Sequence, residues 1–222
     1  MLKIRLLRSN YHFILGRMLL VGILILSLAA TAFAQPWKDM NYGPFMTCTI
    51  EVDKDNVAFK AVAVRLDQGP GGVSKGRAFV AFDTDTLRMA AGWLGQEPID
   101  WKSVVFDGSH QTHPSLAGQR VFLNPVGPGW ANPAAGDFVS NRVVGVDGRK
   151  YGPLDRSWAH WKGLYLHEHR VVLSYTVGDT SVLETPILEG DLDAPFIVRT
   201  FNIGPRQKEM LLQVAGTTGR SA

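Results

Sequence analysis

Short segments whose apolar side chains recur at every second position dominate the chain from about residue 45 onward. Gly, Pro, Asn and Asp residues separate these segments, and β-branched and aromatic residues are frequent within them. This pattern is typical of antiparallel strands joined by turns. The clearest segments are FMTCTIEV, RVVLSYTV, SVLE, PFIVRTF and MLLQVA. The sequence VGDTSV also predicts a hairpin turn at Gly178 and Asp179.

The stretch AFVAFDTDTLRMAAGW shows the same period. It predicts a half-buried strand with Leu87, Met89, Ala91 and Trp93 on one face. A helix is the alternative for this stretch, because Arg, Met and Ala favour helices.

Helical signals are weak throughout the chain after its first 34 residues. No segment combines three helical turns with caps at both ends, and strands do not alternate with helices. The predicted fold class is therefore all-β, an antiparallel β-sandwich with long ordered loops. We expect one such domain over residues 35–215 and a flexible tail over the small and polar residues 216–222.

The chain opens with a basic and then apolar leader. Basic residues precede an uncharged apolar run at 18–30, and the small-x-small pattern AFA follows at 32–34. These features predict a signal-peptide helix over residues 1–34, cleaved before Gln35, and a periplasmic or secreted protein. A retained membrane anchor is the alternative, but the apolar run is shorter than the roughly 20 residues that span a bilayer. We therefore expect no stable membrane span after cleavage.

The charge balance depends on this leader. The whole chain has 23 basic and 20 acidic residues, and without the basic residues of the leader the balance is 19 against 20. The remaining sequence lacks the dense Lys/Arg stripe that a phosphate backbone selects. We therefore expect no nucleic-acid partner.

Cys48 is the single cysteine of the sequence. The sequence therefore has neither an internal disulfide nor a CxxCH haem attachment motif, and we expect no cofactor. Since Cys48 lies within the predicted strand FMTCTIEV, we interpret it as a small buried hydrophobe rather than a nucleophile.

The segment NPVGPGWANPAAGDF, residues 124–138, is too rich in Pro and Gly for a regular helix or strand. We expect a rigid connector at one end of the sandwich. Five tryptophans follow Gly92, and indoles suit stacking on sugar rings. We expect at least three of them to be buried and Trp130 and Trp101 to remain available for contact. The predicted binding residues are Trp101, His110, His113, Trp130, Asn132, Trp158 and His160.

Metal and catalytic patterns are sparse. The H-x-x-H pair at 110 and 113 lacks a recognisable third ligand, and the H-x-H pair at 167 and 169 falls at a predicted hairpin turn, so no metal site is predicted. The carboxylates of FDTDT have strand-mate spacing but also fit a turn with Asx caps. No catalytic residue is assigned. Asp107 and His110 are weak candidates for an Asp/His pair.

Several longer motifs occur together in this sequence: MNYGPF, AVRLDQGPGGVSKGRAFVAFDTDTLRMAAGW, IDWKSVVFDGSHQTHP, NPVGPGWANP, DGRKYGPLDRSWAHWKGLY and VVLSYTVGDTSVLE. Over roughly residues 36–200 they resemble DUF6797, a domain of unknown function found in exported proteins of Planctomycetes, Verrucomicrobia and relatives. The sequence departs from the resemblance at LHEHR, where a Gly-containing turn is expected.

The resemblance implies context more than mechanism. Such domains precede c-type cytochrome or haem-binding modules, or domains linked to sugar oxidation, in longer proteins. It therefore implies a leading module, either alone or as a fragment of a longer protein, and it supplies no catalytic residues.

Three functions are consistent with these features. The first is a non-catalytic exported β-sandwich module that binds carbohydrate or a partner redox domain in a sugar-degrading system. The second is a glycan-active hydrolase or lyase that uses an Asp/His pair. The third is a structural N-terminal cap of a longer cytochrome-containing protein.

Overall fold

The computed structural model describes residues 41–96, 99–100 and 113–215, which belong to one compact unit, Asp39–Ala222. The predicted signal peptide, Trp101, Asp107, His110 and the predicted tail lie outside the described residues. Regular structure in the described part is β, apart from a short 3-10 turn at Val73–Lys75. The predicted all-β class is confirmed. The strands are β1 Phe45–Asp53, β2 Asn56–Arg65, β3 Ala78–Asp83, β4 Arg88–Leu94, β5 Ile99–Asp100, β6 Ser115–Leu116, β7 Gln119–Leu123, β8 Val143–Val144, β9 Lys150–Tyr151, β10 Ala159–His167, β11 Arg170–Val177, β12 Thr180–Glu189 and β13 Phe196–Ile203.

These strands form two large sheets and one small hairpin. The first sheet has the order β5-β6-β1-β2-β3-β4-β7, and its strands are antiparallel except for the β1–β6 pair. The second sheet is the antiparallel meander β10-β11-β12-β13. Strands β8 and β9 pair with each other and, among the described strands, with no other.

The first sheet is curled. Strands β6 and β7 lie towards its opposite ends, yet only Ala117 and Gly118 separate them in the chain. Three Cα steps reach at most about 11 Å, so the two ends must approach each other. Gly118 permits the turn, because it has a φ of 110° and an added Cβ would lie 2.3 Å from the carbonyl oxygen of Leu94.

Each face of the curled sheet buries a separate core. The core inside the curl receives small residues from neighbouring strands around the stacked rings of Phe79 and Trp93, whose centroids are 5.5 Å apart. The core on the other face joins residues of β2, β3 and β4 to those of β11 and β12 in the second sheet. The two sheets therefore pack face to face, as the predicted sandwich requires.

Strand β4 departs from the predicted half-buried alternation. All seven of its residues are buried, since both faces of the curled sheet are covered. The register shifts between Ala81 and Phe82 of the partner strand, and this bulge directs both Ala90 and Ala91 into the inner core. Met89 consequently belongs to the core between the sheets, whereas Trp93 belongs to the inner core. The stretch is a strand and not the alternative helix.

The structure contains the predicted hairpin turn at Gly178 and Asp179 but not the last predicted strand. Val177 and Thr180 are paired across a two-residue turn, and Gly178 has a φ of 55°, so the hairpin at Gly178 and Asp179 is confirmed. The segment MLLQVA, predicted as a strand, forms only an isolated bridge between Leu212 and Trp130. Its partner is a loop and not a sheet edge, so pairing ends after one residue.

The segment NPVGPGWANP packs closely against the β3–β4 connection. The Gly129 amide donates to the carbonyl oxygen of Thr86, and the Asn124 amide donates to that of Ala90. A Cβ at Gly129 would lie 2.1 Å from the carbonyl oxygen of Leu87, so only glycine fits there. The segment is therefore a fixed connector that carries Trp130 into the core between the sheets.

Candidate functional site

A cleft of about 240 Å³ lies between the curled sheet and the β8–β9 hairpin. Its apolar lining comes from Val57, Phe59 and Val126. Three acidic and three basic side chains complete the lining: Asp55, Asp83, Asp85, Arg142, Arg149 and Lys150. A largely apolar pocket with a few convergent polar groups is the usual form of a small-molecule site.

Asp83 is fixed at the end of β3 by its own turn. One carboxylate oxygen accepts a hydrogen bond from the Asp85 amide at 3.1 Å. The other accepts from the Thr86 hydroxyl at 2.7 Å and from Arg88 Nε at 3.5 Å. Asp83 is therefore a buried acceptor whose hydrogen bonds are supplied by the protein itself.

Asp85 lines the cleft although its side chain is only 8% exposed. Its carboxylate forms an ion pair with Lys60 Nζ at 3.2 Å, and the Lys60 side chain is largely exposed. The Asp85 backbone carbonyl accepts from the Leu154 amide, which fixes the main chain. The main chain of Asp85 is therefore held independently of the ion pair that its carboxylate forms with Lys60.

Arg88 forms hydrogen bonds with three segments of the chain next to the cleft. Its Nη1 donates to the carbonyl oxygens of Asn124 and Pro125 at 2.9 and 2.8 Å, and its Nη2 donates to Asn56 Oδ1 at 2.8 Å. Burial lowers the pKa of Arg88, while the ion pair with Asp83 opposes that shift. One guanidinium therefore contacts Asp83 at the end of β3, Asn56 at the start of β2 and the 124–138 segment.

Arg142 supplies the positive side of the cleft. Burial lowers its pKa, whereas the nearby carboxylates of Asp83 and Asp85 raise it. Its Nη1 donates to the Gly152 carbonyl oxygen at 3.1 Å, which holds the side chain in place. A guanidinium stays protonated at neutral pH, so Arg142 presents a partly desolvated cation beside two carboxylates.

The β8–β9 hairpin is fastened to the curled sheet by two contacts. Arg149 Nη2 lies 2.9 Å from Asp55 Oδ1 in the β1–β2 turn. The ring of Tyr151 packs on Phe59 of β2 with centroids 4.8 Å apart. The Tyr151 hydroxyl also donates to Asp147 at 2.6 Å, and this bond lowers the pKa of Asp147. The hairpin wall of the cleft is therefore held in a defined position.

Two of the predicted binding tryptophans lie in the interior. Trp130 is 2% exposed and Trp158 is 5% exposed. Trp130 Nε1 donates to the Tyr175 hydroxyl at 3.2 Å, and Trp158 Nε1 donates to the Trp130 carbonyl oxygen at 3.1 Å. Trp93 is buried as well, which confirms the expectation that at least three of the five are buried. Trp130 and Trp158 belong to the packed core between the sheets, so the expectation that Trp130 remains available for contact is wrong.

The other predicted binding residues are dispersed. Asn132 is a turn residue, since its side-chain oxygen accepts from the amides of Ala134 and Ala135. His160 is partly exposed on β10, where burial and nearby cations lower its pKa. His113 comes nearest to the cleft, with its ring edge-on to Phe59 at 6.2 Å between centroids. Trp101 and His110 lie outside the described residues.

His167 ends β10 and His169 lies in the exposed two-residue turn that follows, as the sequence predicts. Glu168 adopts a φ of 56° in place of the glycine expected there. Within the described ranges, no group of three or more His, Cys, Asp or Glu side chains is placed to hold a metal ion. No helix within those ranges is long and apolar enough to cross a membrane.

Sequence reasoning noticed the carboxylates of FDTDT but missed Arg142, Arg149 and Lys150. The dipeptide Asp147-Gly148 between short apolar runs is a strong hairpin signal that could have located the opposite wall. Gly148 has a φ of 78° and its amide donates to the Gly145 carbonyl oxygen, as such a turn requires.

Cys48 provides a test of the interpretation as an unreactive thiol. Burial raises its pKa to about 11, so little thiolate exists at neutral pH. We expect iodoacetamide at pH 8 to alkylate Cys48 about 100-fold or more slowly than an exposed thiol with a pKa near 8.5. The rate should rise steadily as the pH approaches 11. Mass spectrometry of timed samples measures the alkylation rate at pH 8 and its dependence on pH.

The matched control is a Cys48→Ser, Val146→Cys variant, because Val146 is fully exposed. Equal alkylation rates in the two proteins would show that the Cys48 thiol is readily ionised at pH 8, contrary to its raised pKa.

One family model matches the chain. The model of the domain of unknown function DUF6797 matches residues 80–184, and this match supports the resemblance noted from the motifs. The matched range includes Asp83, Asp85 and Arg142, so most of the charged lining of the cleft lies within it. Comparisons with curated proteins and with solved structures gave no match.

Proposed function

We propose that this domain is a non-catalytic binding module whose cleft holds a single sugar ring of a neutral carbohydrate. The observation that carries the proposal is that the Asp85 carboxylate and the Arg142 guanidinium line one cleft together with Phe59. Its volume of about 240 Å³ lies just below the roughly 300–1,000 Å³ of typical ligand pockets. A cleft of that size suits one ring better than an extended chain.

The charge pattern favours a neutral polyol. Three carboxylates and three cations line the cleft, so a ligand with a net charge gains little overall attraction. A sugar hydroxyl can donate to a carboxylate and accept from a guanidinium at the same time. Val57, Phe59 and Val126 offer an apolar surface for the C–H groups of the ring.

The side chains of the cleft favour binding over catalysis. A glycoside hydrolase needs two carboxyl groups free to act as acid, base or nucleophile. Asp83 is instead committed to Thr86, Arg88 and the backbone. The hydrolase alternative rests on Asp107 and His110, which lie outside the described residues.

The proposal is tested by titrating the purified protein with glucose, galactose, mannose and xylose while recording amide chemical shifts. We expect saturable shifts at Asp85, Thr86 and Gly148 for at least one sugar. Arg142→Gln should weaken that binding about tenfold or more, since it removes one desolvated, charge-assisted hydrogen bond.

Arg120→Gln is the matched control, because Arg120 pairs with Asp53 on the surface away from the cleft lining. Unchanged spectra with all four sugars at tens of millimolar would overturn the binding proposal. Release of a cleaved product from a glycan panel would instead support the enzymatic alternative.

We also propose export to the periplasm or the exterior, on the basis of the basic and apolar leader and the AFA pattern at 32–34. Mass spectrometry of the protein recovered from the expressing cells should then find Gln35 at its N-terminus. A chain that retains residues 1–34 would contradict cleavage.

A further inference from the structure

A second depression adjoins the cleft. It is an open groove of about 500 Å³ between the β1–β2 pair and β10 of the second sheet. Phe59 lines both depressions. Lys60 lines the groove, and its Nζ pairs at 3.2 Å with Asp85, which lines the cleft. The cleft and the groove are therefore contiguous around one aromatic ring and one ion pair.

The groove contains an indole, Trp161, in addition to the Phe59 ring that it shares with the cleft. Trp161 is partly buried, and its ring packs on Phe82 with centroids 5.6 Å apart, so the indole is held in place. Phe45 and Leu164 extend the apolar wall. A fixed indole at a surface depression suits the apolar face of a sugar ring.

A bulge keeps the groove open beside this indole. The β10–β11 register shifts between Trp161 and Gly163, and Gly163 has a φ of 135°. Among the described residues other than its two chain neighbours, none has an atom within 4 Å of the place where a Cβ would stand at Gly163. The bulge therefore leaves open space on this side of β10 within the described part of the chain.

The rim of the groove is polar. The hydroxyl groups of Thr49 and Thr84 donate to the carbonyl oxygens of Phe59 and Lys60, at 2.8 and 2.9 Å. Their oxygen lone pairs remain able to accept from a ligand. Thr47 is exposed at the same rim.

We infer that the groove is a second carbohydrate subsite and that Trp161 is its specificity-determining residue. This inference rests on the proposed function of the cleft. The ligand is then an oligosaccharide of at least two rings, with one ring in the cleft and the next on Trp161, and the link passes over Phe59 and the Lys60–Asp85 pair.

The experiment compares each monosaccharide with its disaccharides: glucose with cellobiose and maltose, mannose with mannobiose, and xylose with xylobiose. Calorimetry and amide shifts on the whole protein give the affinities. We expect at least one disaccharide to bind about tenfold more tightly than its monosaccharide. Trp161→Leu should remove this gain and change the monosaccharide affinity less than twofold.

Two further variants separate binding from folding. Thr47→Trp adds bulk at the exposed rim, so it should block the second ring and leave the monosaccharide affinity intact. Tyr165→Leu is the matched control for Trp161→Leu, because Tyr165 lies on the same strand but is 62% exposed and does not line the groove.

The outcomes distinguish the two proposals. Equal affinities for a bound monosaccharide and its disaccharides would overturn the second subsite and leave the cleft proposal standing. If Trp161→Leu weakens monosaccharide and disaccharide binding equally and Thr47→Trp changes neither affinity, Trp161 has only a structural role and the second subsite is overturned. No binding of any sugar would overturn the cleft proposal and this inference with it.

Discussion

Arg88→Ala is expected to lower the free energy of unfolding by about 3–5 kcal/mol, because it removes one partner of a buried ion pair. The side chains of Arg88 and Asp83 are 1% and 5% exposed. The substitution leaves the Asp83 carboxylate without its ion-pair partner and removes the Arg88 donor from the Pro125 carbonyl oxygen. The Asn124 carbonyl oxygen also loses Arg88 but keeps the Asn56 Nδ2 donor. Urea unfolding followed by circular dichroism measures the loss.

The control for Arg88→Ala is Arg120→Ala. Arg120 forms a closer ion pair with Asp53, at 2.8 Å, but the two side chains are 46% and 43% exposed. Exposed pairs contribute about 1 kcal/mol or less, so this variant should remain near the parent. Similar losses in both variants would contradict the anchoring role of Arg88.

Local patterns predicted the parts of the fold that depend on adjacent residues. The alternation in RVVLSYTV and the glycine at 178 determine the β11–β12 hairpin without help from distant parts of the chain. The curl of the first sheet could not be predicted in this way. It depends on the short link at Gly118 meeting the edge of β4 at Leu94, a contact between residues far apart in sequence.

The candidate site likewise combines features that adjacent residues determine with features that depend on contacts between distant residues. Asp83 and Asp85 belong to one turn, which the sequence offered as one of two interpretations of FDTDT. Arg142 reaches them only because the β8–β9 hairpin is fastened to β2 through Tyr151 and Phe59. The side chains on the two walls of the cleft come from separate elements, so their meeting follows from tertiary packing and not from spacing along the chain.

Trp130 shows why composition alone misplaces an aromatic residue. Its loop is rich in Pro and Gly, as many exposed binding loops are. The Trp130–Leu212 bridge and the packing of Gly129 against Leu87 draw the segment inward instead. The indole then meets Tyr175, whose hydroxyl donates to the buried carboxylate of Glu184 at 2.8 Å.

Trp130→Ala is accordingly expected to lower the free energy of unfolding by about 3–5 kcal/mol, the usual effect of removing a buried tryptophan from a packed core. The cavity would lie beside Tyr175 and Phe201, whose rings are 6.4 and 6.0 Å from the indole between centroids. Trp130→Phe keeps a ring but loses the bond to the Tyr175 hydroxyl, so its loss should be smaller. Thermal and urea unfolding measure both.

Phe138→Ala is the matched control for Trp130→Ala, since Phe138 lies in the same loop but is 40% exposed. Phe138→Ala should lower the free energy of unfolding by well under about 1.5 kcal/mol, as expected for a substitution at a partly exposed site. The decisive comparison adds the sugar titrations to the unfolding curves. A Trp130→Ala protein that is as stable as Phe138→Ala but has lost carbohydrate binding would make the indole a ligand contact and contradict its burial between the sheets. If Trp130→Ala is destabilised but still binds sugar below its unfolding temperature, Trp130 is a core residue. Sugar binding by the cleft lined by Asp85 and Arg142 then does not depend on the indole.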